Sequence, residues 1–162
     1  LFMGGEFGQW AEWDHESSLD WAAGPHEPHA GIQRLVADLN RLYADEAALH
    51  ALDSSWEGFE WVDADDAPAS VVSYLRKNAT GRHVLVVCNF TPIVRQNYRV
   101  GVPRRGHWAE IRNTDAEVYG GSGQVNMGGA DSRPVPAHGR SHSINPTLPP
   151  LAALVLRPDA VR

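Results

Sequence analysis

The chain has 162 residues, a net charge of −6, 43% hydrophobic and 21% charged side chains. That balance suits one ordinary globular domain, or a small domain with an appendage, and excludes a disordered polyelectrolyte. The acidic total argues against nucleic acid as a partner, and no apolar run reaches the roughly 18 residues of a membrane helix.

The charge is unevenly spread. Residues 1–66 carry 2 basic and 15 acidic side chains, whereas residues 67–162 carry 12 and 5. Such asymmetry can mark an acidic partner for the second stretch. The arginines are scattered rather than clustered, which favours docking of the two stretches on each other. The single cysteine, Cys88, lies in the apolar run Val84-Leu85-Val86-Val87-Cys88 and reads as a buried, reduced and inert thiol. With no basic-then-apolar leader, a cytoplasmic setting is expected. Asn78-Ala79-Thr80 and Asn89-Phe90-Thr91 then read as chance matches to the glycosylation pattern.

In chain order, Leu1-Phe2-Met3 meeting Gly4-Gly5 reads as the end of a buried strand, so the chain is expected to begin inside a larger fold. A long aromatic and acidic loop follows, from about Phe7 to Pro28; loops of that length are usually functional. Ile32, Leu35, Val36, Leu39, Leu42 and Tyr43 then repeat at helical spacing, with Pro28 placed to favour a start nearby. Beyond Trp56 the period shortens to strands separated by turn residues. The strand segments are Phe59 to Val62, Val71 to Leu75, His83 to Phe90, Asn97 to Val102, Trp108 to Ile111, Ser143-Ile144 and Ala153 to Leu156. Gly120 to Gly129 has no period and reads as a loop. About seven short strands argue for an antiparallel β-sandwich. The strand–loop–helix in front is one βα unit, which must join a parallel sheet upstream.

The motifs are specific. Leu1-Phe2-Met3-Gly4-Gly5-Glu6-Phe7-Gly8-Gln9-Trp10, then Glu12-Trp13-Asp14-His15 and Ser18-Leu19-Asp20-Trp21, closely resemble the eighth strand and following loop of bacterial glycogen (1,4-α-glucan) branching enzymes of the α-amylase superfamily. The likeness runs on through Asp38 to Tyr43, Glu57 to Trp61, Val87 to Pro92, Asn113 to Gly121 and Leu148 to Ala152, in order and at matching intervals. Two positions depart from the family pattern: Arg112 stands where an aliphatic residue is usual, and Ala137 where tryptophan commonly precedes the His138-Gly139 pair.

The resemblance implies a mainly β chain: residues 1–52 as the last strand–loop–helix unit of a (β/α)₈ barrel, then 53–162 as the C-terminal β-sandwich. It also implies an enzyme that cuts α-1,4 glucan and forms α-1,6 bonds with retention. Retention needs two carboxyl groups about 5–5.5 Å apart; the family places these, and an assisting aspartate, on strands four, five and seven. All would lie upstream of Leu1, so this chain is expected to hold no catalytic residue and to be inactive alone. The implied partners are α-glucan and the missing barrel, and self-association of the isolated chain is expected where its apolar stripe is uncovered.

Glu6, Gln9, Trp10, Trp13 and Trp21 are the candidate substrate-binding residues. Glu6 would sit at the face of a barrel that carries active sites, or else tie the loop to nearby amides. Indole faces stack on sugar rings, which suits the three tryptophans to a glucan groove; core packing is the expected role for at least two of them. Glu12, Asp14, Glu16 and Asp20 sit in an exposed loop, which rarely raises a carboxyl pKa enough for acid catalysis. No metal site is expected, since Pro28 breaks the helix that would align His26 and His29, and no cofactor motif occurs. Gly120-Gly121-Ser122-Gly123-Gln124 fails the nucleophile-elbow pattern at its last position. Two other readings stay open. A free carbohydrate-binding module would need an exposed aromatic platform, with Trp56, Trp61 and Trp108 as candidates. Another α-amylase-type enzyme, such as a trehalose-releasing hydrolase, is disfavoured by the Gly4 to Trp10 signature.

Overall fold

The apolar stripe between Ile32 and Tyr43 is helical in the computed structural model, which describes residues 2–159. Helix α1 (His29–Asp45) receives no side-chain cap from Pro28; the Glu27 carboxylate instead accepts from the Gly31 amide at 3.1 Å. That satisfies one of the amides a first turn leaves free. Gly31 is where α1 meets the short 3₁₀ turn Glu117–Tyr119, and a Cβ there would stand 2.4 Å from the Tyr119 carbonyl oxygen. At the other end Glu46 turns extended, and its carboxylate caps the one-turn helix α2 (Ala47–His50) at the Ala48 amide.

Eight strands follow among the described residues: β1 (Phe59–Asp63), β2 (Val71–Lys77), β3 (His83–Asn89), β4 (Val100–Val102), β5 (His107–Asn113), β6 (Gly129–Asp131), β7 (His142–Ile144) and β8 (Ala152–Pro158). Six form one sheet in the order β1-β2-β3-β8-β5-β6, and β4 pairs with β7 as a separate ribbon. All the pairings are antiparallel. The strand that periodicity missed is β6, which begins at the last residue of the stretch read as loop. Its signal is hidden by glycine: a Cβ at Gly129 would stand 2.2 Å from the Trp108 carbonyl oxygen, so no β-forming side chain fits at that register.

The sheet is the middle of three layers. On one face Leu75, Leu85, Val87, Leu154 and Leu156 pack with Trp108 against Val100, Val102 and Ile144 of the ribbon. On the other, Val84, Val86 and Val155 meet Ala48, Leu42 and Leu49 from the helices. Successive residues of β3 therefore enter opposite cores, which is why its sequence is an unbroken apolar run rather than an alternation. Cys88 belongs to the helix-side layer, and burial pushes its thiol pKa up.

The strand expected at the front needs a parallel sheet that the described residues do not supply. Phe2 and Met3 lie outside any strand, 65% and 60% exposed; Leu1 falls outside the described residues. A parallel strand needs a partner in a sheet, and every sheet strand in the described residues is paired antiparallel and begins after Trp56. The helix stripe is also only partly covered: Leu42 packs on the sheet, while Leu39 and Tyr43 remain exposed.

The charge asymmetry resolves as internal docking. Arg76 pairs with Asp53, Lys77 and Arg140 with Glu60, Arg112 with Asp38, and Arg82 and Arg157 with Glu46. Each pair joins the acidic first stretch to the basic second one. Arg112 follows a bulge in β5. It reaches both Asp38 of α1 at 3.7 Å and the Tyr119 hydroxyl at 3.3 Å. The Tyr119 hydroxyl donates to Asp38 at 2.6 Å. These contacts hold the helix on the sheet. Ala137 lies at the base of the tight turn His138-Gly139, bridged to Arg140.

Glu46 is the charge the fold buries most deeply, at 2% exposure, with Arg157 at 2.8 Å and Arg82 at 3.9 Å. Removing its charge leaves two arginines that can turn to water, whereas removing Arg157 leaves a carboxylate trapped in the layer. We therefore expect Arg157→Ala to cost about 3 kcal/mol and Glu46→Gln only about 1–2 kcal/mol. Denaturant unfolding of the two variants reads the order directly; a Glu46→Gln cost above that of Arg157→Ala would contradict this account.

Candidate functional site: an aromatic loop and an aromatic platform

The loop singled out by sequence is folded around Gln9. Gly4 adopts φ +86°, and a Cβ there would stand 2.4 Å from Gln9 Cδ. Both the turn and the close approach therefore require glycine. The Gln9 amide nitrogen donates to the Ala11 carbonyl at 3.1 Å, and its oxygen accepts from the Asp20 amide at 3.3 Å. The side chain thus ties the two limbs of the loop together. Phe7 is buried, and His29 Nδ1 donates to its carbonyl oxygen at 2.9 Å. Since a carbonyl can only accept, this bond sets the protonated nitrogen of His29. The same bond ties the start of α1 to the loop. Among the described residues no three His, Cys, Asp or Glu side chains converge as a metal site.

The tryptophans do not pack into a core. Trp10, Trp13 and Trp21 are 80%, 40% and 65% exposed, contrary to the expectation that at least two would be buried. The sheet's two faces are already occupied by the helices and by the ribbon, so no interior is left for them. They meet smaller aromatic partners instead. Trp10 stands edge-on to His29 at 5.3 Å, Trp13 edge-on to Phe2 at 4.9 Å, and Trp21 tilts over Phe7 at 5.7 Å.

Two hollows adjoin in this loop. One, of about 240 Å³, is lined by Phe2, Gly8, Gln9 and Trp13; the other, of about 250 Å³, by Gln9, Glu12, Asp14 and Asp20. Gln9 and Trp13 are thus brought together, whereas Trp10 and Trp21 face elsewhere and the half-buried Glu6 borders neither hollow. The Asp14 carboxylate accepts from the Glu16 amide at 3.0 Å and the Ser17 hydroxyl at 2.8 Å. Those bonds hold its pKa below the ordinary carboxylate range, the state of an acceptor rather than of a general acid. Hydrogen bonds and ring contacts to a neutral polar ligand are what such a surface can offer.

A second aromatic surface lies on the sheet itself. Trp61 of β1 stands directly across from Tyr74 of β2, and Phe59 is two residues before Trp61 on the same side. Ring centroids are 4.9 Å apart for Phe59–Trp61, 5.3 Å for Phe59–Tyr74 and 5.9 Å for Trp61–Tyr74. Trp61 is 54% exposed and Phe59 37%. Tyr74 is half-buried; burial, with the Cys88 thiol beside it, raises its phenol pKa, so it stays a neutral donor. The platform continues the helix-side layer past the helices to the open edge of the sheet. Of the three tryptophans considered for such a surface, Trp61 is in it and Trp56 projects from the preceding turn at 85% exposure. Trp108 is fully buried in the core between sheet and ribbon. Tyr74 escaped sequence reading because its alternation alone does not reveal the strand opposite; the β1–β2 register does.

Other motifs that carried the resemblance are structural. Asp115 is buried and accepts from the Ser122 amide at 2.8 Å, the Ser122 hydroxyl at 2.7 Å and the Gln124 amide at 3.1 Å. It folds the glycine-rich stretch, together with Asn113, which donates to the Gln124 carbonyl at 2.7 Å. Asn89 is likewise buried, its amide donating to the Ile93 and Pro149 carbonyls, both at 2.8 Å.

Residues 61–159 match the model of the α-amylase C-terminal all-β domain. The chain is 56% identical over 159 residues to the 1,4-α-glucan branching enzyme GlgB of Aromatoleum aromaticum, covering 98% of this chain and 25% of that protein. Against the GlgB of Aquifex aeolicus the identity is 58% over 158 residues, covering 97% and 25%. The chain thus spans about a quarter of the length of these curated relatives, and it matches their C-terminal part. Among solved structures, the α-amylase of H. orenii overlaps 93% of this chain and 25% of its own at 14% identity and a TM-score of 0.48. The match over 61–159 covers more than half of the chain and coincides with its antiparallel sheet and ribbon, and the chain belongs to the family of α-amylase C-terminal all-β domains.

Proposed function

We propose that this chain is the C-terminal part of a 1,4-α-glucan branching enzyme, an enzyme of glycogen synthesis in the cytoplasm. The observation that carries the reading is identity of 56–58% over nearly the whole chain to proteins so named. Residues 1–52 would continue the last strand–loop–helix unit of a (β/α)₈ barrel, and the sheet and ribbon would buttress it. The exposed Leu39 and Tyr43 of α1 suit a helix with a neighbour in the longer enzyme. The carboxylates that exchange α-1,4 for α-1,6 bonds would lie in that longer part. In this reading Gln9, Trp10, Trp13, Trp21 and Glu6 border the cleft: Trp13 offers a ring face, and Gln9 shapes the loop rather than binding substrate.

The platform of Phe59, Trp61 and Tyr74 supports a direct contact between the sandwich and α-glucan. Aromatic rings bury the apolar faces of sugars, and the neutral Tyr74 hydroxyl can hydrogen-bond a sugar hydroxyl. No helix among the described residues is long and apolar enough to cross a membrane.

Two measurements test this. Calorimetric titration of the chain with a linear malto-oligosaccharide should give binding that Trp61→Ala weakens by about 1–2 kcal/mol. Trp56→Ala should matter less, because Trp56 has no ring partner; equal affinity of Trp61→Ala and the parent would remove the platform from the reading. Incubation with amylose should yield no α-1,6 branches from this chain alone, while the gene's full reading frame should form them. Branching by the chain alone would overturn the assignment of the catalytic groups to the longer part.

A further inference from the structure

Where β3 begins and β8 ends, three guanidinium groups surround one hollow of about 200 Å³, lined by Arg82, His83, Arg104, Arg157, Pro158 and Asp159. The groups are fixed in different ways. Arg157 and Arg82 lean on the buried Glu46 carboxylate at 2.8 and 3.9 Å. Arg104 donates to the Gly81 carbonyl at 2.9 Å, which positions its fork without neutralising it. Three guanidinium charges against the carboxylates of Glu46 and Asp159 leave the hollow positive. His83 reports the same field: burial first, then the charges of Arg104 and Lys77, hold its imidazole pKa below the usual range. A second hollow, of about 470 Å³, adjoins across Asp159 and is lined by Arg105, His107, Ser132 and His142.

We propose that the smaller hollow binds a phosphate-class anion, its oxygens shared among Arg82, Arg104 and Arg157. Planar guanidinium forks match the oxygen edges of a phosphoryl group and hold it by charge-assisted bonds. A carboxylate offers a single edge and would leave the other forks unused. The adjoining hollow has room for the body of a phosphomonoester, so the anion is either free phosphate or the head of such a molecule. The site is independent of the glucan reading, since it shares no residue with the aromatic loop or the platform.

The test is titration of this chain with sodium phosphate, and in parallel with a hexose phosphate, at constant ionic strength. Binding is followed by calorimetry and by the NMR titration of the His83 ring. Saturable binding is expected, with the His83 pKa rising because the bound anion offsets the charge of Arg104. Arg104→Ala should weaken binding by about tenfold, and Arg104→Lys by less. Asp159→Asn, which removes the opposing carboxylate, should strengthen it. Melting temperatures of these variants separate a lost site from a lost fold. Tighter binding of the hexose phosphate would identify a monoester, and equal binding the free ion. A response no greater than that to chloride, or unchanged affinity in Arg104→Ala with Asp159→Asn no tighter, would overturn the site.

Discussion

Strand β3 lies in the middle of the sheet with its alternate residues in two different cores, and most of the architecture follows from covering both. An antiparallel sheet can leave one face to water, but Leu85 and Val87 on one side and Val84 and Val86 on the other allow no such face. The ribbon of β4 and β7 closes the first side around Trp108. The second side has no strands to close it, and the task falls to α1 and α2. The two helices that follow the aromatic loop are thereby the lid of the domain's second core.

Electrostatics fix where that lid sits. Hydrophobic contact between a helix and a sheet is non-directional, and the α1–α2 pair could slide on Val84, Val86 and Val155. The buried Glu46, held by Arg157 and Arg82, and the Asp38–Tyr119–Arg112 cluster are directional. They place the C-terminal end and the middle of α1 against named positions of β8, β5 and the turn after β5. Gly31 allows the last close approach. This is the physical content of the charge asymmetry between the two stretches of the chain. Arg112 adds to the same clamp.

The two aromatic surfaces differ in kind. In the loop the rings are exposed because the chain has no further interior to offer them, and Gln9 is spent on holding the loop's limbs together. On the sheet the rings are exposed because an edge strand ends the layer, and they brace one another across the β1–β2 register. The second surface is rigid by pairing, while the first depends on one side-chain amide and a left-handed glycine.

Helix α1 and the strands that alternate or run apolar were legible in the residues, because burial periodicity is written directly into them. So was the family, through motifs that turn out to be mostly architectural: Asp115 and Asn113 fold the glycine-rich stretch, and Asn89 closes the end of β3. What the sequence could not settle were features that depend on pairing partners far apart in the chain. Strand β6 is visible only once Gly129 lies against Trp108, and Tyr74 joins the platform only through its register with Trp61. Trp61 and Trp108 are the same residue type in similar strands, yet one faces water and the other is sealed. Which face of a strand becomes interior is decided by what packs on the sheet, and that is a property of the tertiary structure alone. The three arginines of the anion hollow illustrate the limit most clearly. They are spread from Arg82 to Arg157 in sequence and meet because β3 and β8 are neighbours in the sheet and the β4–β5 connection brings Arg104 to the Gly81 carbonyl.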